Sequence, residues 1–129
     1  DGYINDMYEV MRSTFLIHKA RLRDPGVMDA HRVLAMATTG GAAALALEGV
    51  GRLAPGCSAD LQVVDGRFPT PVTEANLAEQ LVLFRSAHHV GAVMVAGQWR
   101  VRGGQIVGVA PDQQRARLHE QALRLWSAA

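Results

Sequence analysis

Two short segments with the character of β-strands constrain the fold of this chain more than any other feature. The first, residues 55–65, reads Pro-Gly-Cys-Ser-Ala-Asp-Leu-Gln-Val-Val-Asp, and the second, residues 93–104, reads Val-Met-Val-Ala-Gly-Gln-Trp-Arg-Val-Arg-Gly-Gly. Valine-rich runs bounded by glycine, proline and aspartate are typical of strands. Ala96-Gly97 and Gly103-Gly104 are tight-turn sequences, so antiparallel strands are expected on either side of each turn. The predicted strands are residues 59–64, 91–96, 98–102 and 105–109.

The first part of the chain has the periodicity of an amphipathic helix. Apolar residues recur at positions i, i+3, i+4 and i+7 across residues 6–20, which is the spacing of one helical face. Asn5 or Asp6 is the expected N-cap, and Glu9 follows Asp6 at the spacing of a capping box. This pattern predicts a helix that begins at or next to Asp6.

Three further helices are predicted. The second covers residues 29–47, although Gly40 and Gly41 inside it cost about 1 kcal/mol each relative to alanine. Tertiary packing must outweigh that cost, so we expect this helix to be buried. A short helix over residues 73–83 and a final helix that begins at Pro111 complete the chain. The predicted class is therefore α+β, with the element order αα-β-α-βββ-α.

Composition and charge argue against several classes of function. The 129 residues suffice for one domain with a modest core, and the single cysteine cannot form an intramolecular disulfide. Thirteen basic and twelve acidic residues give a net charge of +1, which offers no positive surface for nucleic acid. No apolar run approaches the roughly 18–20 residues of a membrane span, and no signal peptide is visible. We therefore expect a cytoplasmic protein that binds neither nucleic acid nor membrane.

The histidines, the cysteine and a conspicuous aspartate do not form a recognisable site in the sequence. His88 and His89 are adjacent, so on a strand their side chains would point to opposite faces and could not chelate together. The other histidines, His18, His31 and His119, lack the i, i+4 partner of a zinc motif. Cys57 has no neighbouring base, so a nucleophilic role is not expected. Asp60, at the start of a strand, is expected to be structural and to accept backbone N–H bonds.

The strand segments and the helix before them resemble the C-terminal end of the metal-dependent amidohydrolase superfamily, in its deaminase and chlorohydrolase branch. The family pattern Gly-x-Leu-x-Pro-Gly-x-x-Ala-Asp-Leu stands here as residues 51–61 without a gap, and Val-x-Val-x-Gly stands as residues 93–97. A helix similar to residues 33–45 precedes the first pattern in these enzymes. The opening residues 1–7 are similar to an aminohydrolase subgroup linked to selenium metabolism. The resemblance covers essentially the whole chain.

This resemblance implies the C-terminal fragment of a TIM-barrel amidohydrolase with a small β-sandwich subdomain. The sequence changes character near residue 50, where glycine and proline interrupt the helical pattern. Residues 1–50 would then be the end of the (β/α)8 barrel, with the helices that follow strand 8. Residues 51–129 would be the C-terminal β-sandwich strands and the terminal helix. The implied partner is the remainder of the barrel. Assembly of the parent enzyme into a homo-oligomer is an alternative that the resemblance leaves open.

The same resemblance implies a function for the parent enzyme and a role for Asp1. In the family the matching aspartate is a metal ligand that also takes the proton of the attacking water. The parent would be a metal-dependent hydrolase of non-peptide C–N or C–Cl bonds, chiefly a deaminase of a small nitrogen heterocycle, with zinc or iron as its divalent metal. Asn5 could line the substrate pocket, with helix capping as its other role. Because one carboxylate cannot hold a metal, the isolated chain is expected to bind none and to be inactive.

A different class of function also fits the sequence. The chain could be a stand-alone, non-catalytic module that uses its sheet to bind a partner or to oligomerise. An open sandwich and uncovered apolar helix faces would need such a cover. The coding sequence upstream of Asp1 separates the two hypotheses. Leu-Gly-Thr directly before Asp1, with His-x-His some hundreds of residues earlier, indicates the enzyme.

Overall fold

The computed structural model of this chain describes residues 5–127, which combine helices with one antiparallel sheet. The elements in chain order are α1 (Met7–Leu22), α2 (Ala30–Ala35), a π-helical turn (Met36–Gly40), α3 (Gly41–Ala44), β1 (Leu61–Val64), α4 (Leu77–Phe84), a 3₁₀ turn (Ala87–His89), β2 (Val90–Val95), β3 (Gln98–Arg102), β4 (Gln105–Ile106) and α5 (Pro111–Ser127). The α+β class predicted from the sequence is confirmed.

The four strands form one sheet in the order β1-β2-β3-β4, and each neighbouring pair is antiparallel. Met94 on the central strand β2 pairs with Leu61 on one side and with Trp99 on the other. A bulge interrupts each of these two ladders, which re-aims the side chains that follow it. The described residues provide one layer, so a β-sandwich needs a second sheet from outside residues 5–127.

The hairpin turn between β2 and β3 has a left-handed backbone at both central residues. Ala96 has φ of 49° and Gly97 has φ of 76°, which is the sign pattern of a type I′ turn. The Oδ1 atom of Asp60 accepts the N–H of Ala96 at 2.6 Å, so a carboxylate from the start of β1 stabilises this turn. The structural role predicted for Asp60 is confirmed. The last strand is shorter than predicted, because the chain turns at Gly108, where φ is +74°.

The buried core lies between α1, α2 and α4. Val33 and Val82 are its largest fully buried side chains. Val64 and Val90, which pair at one end of β1 and β2, pack against this core. Residues from both sides of position 50 therefore share one core. The division into a barrel end and a sandwich stays a prediction. The core residues are Tyr8, Met11, Ala30, Val33, Ala78 and Val82.

The second predicted helix differs from its prediction in continuity and burial. It is divided into α2, the π turn and α3, and it ends at Ala44. The predicted burial holds for Ala30 and Val33 in α2 but is wrong at the two glycines, because Gly40 is exposed and Gly41 is only half-buried. The π turn lies against the backbone of Gly51, where a Cβ atom would stand 2.9 Å from the carbonyl oxygen of Thr38. At Gly40 an added Cβ atom would stand 3.1 Å from the carbonyl oxygen of Ala35, so close backbone contact accompanies this glycine in place of side-chain burial.

Helix α5 extends from Pro111 as predicted, and every one of its residues is exposed. Leu118 and Trp126 are 70% and 75% exposed, and they belong to an apolar stripe on this helix. None of the helices within residues 5–127 is long and apolar enough to cross a membrane.

Candidate functional site

The predicted site residues lie at the very start of the chain. Asp1 is outside the described residues, so its predicted role as metal ligand stays a prediction. Asn5 is exposed and directly precedes Asp6, which is the N-cap of α1. Of the two candidate caps, the structure assigns the cap to Asp6. The predicted contact of Asn5 with a substrate stays a prediction.

Asp6 connects two distant parts of the chain through its two carboxylate oxygens. Oδ1 accepts the N–H of Tyr8 at 2.9 Å, which caps the first turn of α1. Oδ2 accepts the N–H of Ala87 at 3.2 Å, across 81 residues of sequence. An ionised carboxylate suits both bonds, because it accepts through either oxygen. The start of α1 is thus tied to the segment that leads into β2.

Two more side chains on the first two turns of α1 make similar long-range bonds. The hydroxyl of Tyr8 donates to Oε1 of Gln62 on β1 at 3.0 Å. Arg12 donates from Nε to the carbonyl of Leu83 at 3.1 Å and from Nη2 to the carbonyl of Arg85 at 2.6 Å. These carbonyls lie at the C-terminal end of α4, where helical carbonyls lack partners within the helix. The guanidinium therefore caps α4 while it holds α1 in place.

Burial and charge act on the phenol of Tyr8 in opposite directions. Burial raises its pKa, the carboxylate of Asp6 raises it further, and the guanidinium of Arg85 lowers it. The net pKa is above the ordinary value of 10.0. Tyr8 therefore stays a neutral hydrogen-bond donor around neutral pH, as its bond to Gln62 requires.

Arg85 is the most buried charged residue among those described, at 4% exposure. Its Nη2 atom donates to the carbonyl of Arg67 at 2.9 Å, and its guanidinium lies 3.7 Å from the ring centre of Phe68. Its Nε atom is buried and makes no hydrogen bond within the described residues. These contacts hold the connection between β1 and α4 against the segment after α4, which Asp6 and Arg12 also contact.

The histidine pair, His88 and His89, lies in the 3₁₀ turn directly before β2. Ser86 ends the preceding extended segment, and its N–H donates to Nδ1 of His89 at 3.2 Å. The ring of His89 therefore folds back onto its own turn, at the spacing of a capping box. The strand β2 begins at Val90, directly after this turn and one residue before its predicted start at Gly91.

Residues 5–127 bring no three metal-ligating side chains together. No group of three histidine, cysteine, aspartate or glutamate residues in this range could hold a metal ion.

The described side chains at the start of α1 form a clamp, which we define as Asp6, Tyr8 and Arg12 with their acceptors and donors. No local sequence pattern indicates this clamp, because 71 and 73 residues separate Arg12 from its two acceptors.

An apolar groove runs beside the clamp, between α1 and the α2–α3 segment. Its volume is about 210 Å³, and Met7, Val10 and Met36 along it are 53%, 43% and 47% exposed. Few of the residues that line the groove are polar, and the fully buried Val33 lies at its bottom. The groove is lined by Met7, Val10, Met11, Thr14, Val33, Met36, Ala37 and Gly41.

The chain is similar to known proteins in both sequence and fold. The sequence profile of the amidohydrolase family matches residues 2–100. A 5-methylthioadenosine/S-adenosylhomocysteine deaminase of Nitratidesulfovibrio vulgaris is 44% identical over 100 residues, which are 78% of this chain and 23% of that protein. The chain thus spans about a quarter of the length of this curated relative.

Two solved structures share the fold. An adenosine deaminase of Xanthomonas campestris with bound zinc matches 94% of this chain and 28% of its own, with a TM-score of 0.86 and 26% identity. An atrazine chlorohydrolase of Arthrobacter aurescens TC1 complexed with zinc matches 85% of this chain and 25% of its own. Its TM-score is 0.70 and its identity is 24%, so this second likeness concerns the fold alone.

Proposed function

This chain belongs to the amidohydrolase family, and we propose that it is the C-terminal part of a metal-dependent hydrolase of non-peptide C–N or C–Cl bonds. The observation that carries the proposal is the 44% identity to a deaminase over 78% of the chain. The intact enzyme is this chain together with the barrel residues that its relatives have and that it lacks. We place residues 1–50 at the end of that barrel and 51–129 in the C-terminal sandwich and terminal helix.

Deamination is the reaction that the comparisons favour, with a purine nucleoside as the substrate class. The relative is named for 5-methylthioadenosine and S-adenosylhomocysteine, and the nearest fold described above is an adenosine deaminase. All three names describe adenine attached to a ribose, which is a nitrogen heterocycle with an exocyclic amine. The intact enzyme would therefore release ammonia from such a ring, in the cytoplasm.

The metal site of the intact enzyme requires ligands from outside residues 5–127. Those residues contain no group of three ligands, so they do not fit a metal by themselves. We propose that Asp1 supplies one ligand and that the rest of the barrel supplies the others. The divalent metal is zinc or iron, and the zinc-bound adenosine deaminase favours zinc. Asn5, exposed just before α1, is proposed to face the substrate.

Apart from Asn5, what the described part of the chain contributes is structural. The clamp holds the start of α1, which follows the proposed substrate residue Asn5 and, further upstream, the proposed ligand Asp1. The apolar groove beside it is open, and we propose that the remainder of the barrel covers it. The isolated chain is then expected to be inactive, because neither the ligands nor the substrate pocket is complete.

The test is to assay the intact enzyme and the 129-residue chain side by side. Each is stripped with a chelator, reloaded with zinc or ferrous iron, and given 5-methylthioadenosine, S-adenosylhomocysteine, adenosine or atrazine. We expect metal-dependent ammonia release from at least one nucleoside by the intact enzyme only, and loss of activity in Asp1→Asn. Turnover by the isolated chain would contradict the fragment proposal. An intact protein that retains no metal and hydrolyses nothing would favour the alternative, a non-catalytic interaction or oligomerisation module.

A further inference from the structure

We propose that Asp6 is a positioning residue, and that its hydrogen bond to Ala87 fixes the residues immediately before α1 for catalysis. The inference rests on the proposed function, because it takes Asp1 and Asn5 to belong to the active site. Asp6 itself need not touch the substrate. Its carboxylate holds the junction between those residues and α1 against the segment that enters β2.

The distribution of bonds along α1 supports this role. Four side-chain bonds from the clamp residues Asp6, Tyr8 and Arg12 reach across 54 to 81 residues of sequence. In the last two turns of α1, by contrast, Lys19 reaches only carbonyls six and eight residues further along. Among the described residues the helix is therefore anchored at the end that follows the proposed site. A rigid support of that kind is what the placement of a reacting group requires.

Two single substitutions remove the same bond from its two ends. In Asp6→Asn one carboxylate oxygen becomes an NH₂ group. Because asparagine caps a helix as well as aspartate does, its one oxygen is expected to keep the N–H of Tyr8, and the N–H of Ala87 loses its acceptor. In Ala87→Pro the donor N–H is removed, and no charge changes. Proline suits the first position of a helical turn, and Ser86 before it has the extended ψ of 172° that proline favours. Both variants are therefore expected to fold.

Asp29→Asn is the matched control. Asp29 is the N-cap of α2, it is exposed, and its side chain accepts the N–H of Arg32 at 2.9 Å within its own helix. Asparagine is as good an N-cap as aspartate. The control thus changes an N-cap aspartate to asparagine with the same loss of charge, but without a long-range bond.

The experiment measures kcat, KM and bound metal in the intact enzyme for each variant. We expect Asp6→Asn and Ala87→Pro each to lower kcat about tenfold with KM within about twofold, and Asp29→Asn to stay within about twofold of the wild type. Metal content should be unchanged. The double variant should lose no more than the worse single variant, because both remove one bond.

Several outcomes would overturn the inference. If either variant keeps kcat within about twofold, or if only the melting temperature falls, Asp6 is a helix cap and no more. A double variant whose losses multiply would mean that the two residues act separately. Hydrogen exchange at the Ala87 amide in the intact protein tests the bond itself, and it should be faster in Asp6→Asn than in Asp29→Asn. A wild-type enzyme without hydrolase activity would overturn the positioning role and the proposed function together, whereas normal activity with unaffected variants would overturn this inference alone.

Discussion

At the scale of single residues, Asp60 shows how a carboxylate without any catalytic assignment stabilises the hairpin. Ala96 adopts φ of 49°, a left-handed conformation that costs an L-residue roughly 1–2 kcal/mol. The bond from its N–H to Asp60 contributes to holding the turn in that conformation. The identity of residue 96 is therefore a weak point of the hairpin, because asparagine tolerates left-handed backbone better than alanine does.

Ala96→Asn should stabilise the protein by about 1 kcal/mol, because asparagine relieves part of the left-handed strain while the N–H that bonds to Asp60 is kept. The measurement is the urea midpoint of the intact protein, followed by circular dichroism. Ala59→Asn is the control, since Ala59 is exposed and has no positive φ. A change at Ala96 that is equal to or smaller than the change at Ala59 would contradict this explanation.

Asp65 offers a prediction about pH. Hydrogen bonds from the side chain and then the backbone N–H of Arg67 lower the pKa of Asp65 from 3.8 to about 2. A lowered carboxyl pKa contributes stability that is present above the unfolded value of 3.8 and is lost as the pH falls through about 2. Carboxyl NMR titration should therefore show Asp65 ionised well below pH 3.8, and Arg67→Gln should move its pKa back toward 3.8. An unchanged titration in Arg67→Gln would show that the cation is not the cause.

At the scale of elements, local sequence patterns predicted the helices and strands whose ends are set by nearby caps and turns. Helix α1 begins after Asp6 as the N-cap pattern predicts, and β3 covers residues 98–102 as predicted. Helix α4 begins at Leu77, several residues later than predicted, because Asn76 turns the chain first by accepting the N–H of Thr73. Periodicity and caps therefore located most elements, and their boundaries moved where a side chain made an unforeseen local bond.

The candidate site was predictable only in part, because its contacts join residues that are far apart in the sequence. The family pattern points to Asp1 and Asn5, but the clamp depends on pairs such as Asp6 with Ala87, which only the folded chain brings together. The π turn is similar, because it packs against Gly51 from beyond the end of α3. A pattern of helical periodicity contains no information on a contact of that kind, so one continuous buried helix was expected.

Gly51→Ala should destabilise the protein more than Gly49→Ala. Both glycines have positive φ, at +81° and +68°, so alanine is strained at either position. Only at Gly51 would the added Cβ meet other atoms, 2.9 Å from the carbonyl oxygen of Thr38 and 3.1 Å from the Cβ of Ala42. We expect a cost of about 1 kcal/mol at Gly49 and about 1–3 kcal/mol more at Gly51, measured as urea midpoints of the intact protein. Equal costs would show that the π turn yields to the methyl group.

At the scale of the whole molecule, little apolar surface is buried within the described residues. The core contains six residues, whereas the groove beside α1 and the stripe on α5 leave large apolar side chains such as Val10 and Leu118 exposed. Exposed apolar patches of this kind mark interaction surfaces. In the proposed intact enzyme the remainder of the barrel is the partner that covers the groove.

Val10→Glu distinguishes a covered groove from an open one. Val10 is 43% exposed here, so glutamate can reach water and the isolated chain should change by no more than about 0.5 kcal/mol. If the barrel covers the groove in the intact enzyme, the same substitution buries a charge and should cost several kcal/mol. Ala20→Glu, at an exposed position further along α1, is the control and should be nearly neutral in both proteins. The measurement is the urea midpoint of each substitution in the isolated chain and in the intact enzyme. A Val10→Glu cost that is equally small in both proteins would show that the groove stays open in the intact enzyme.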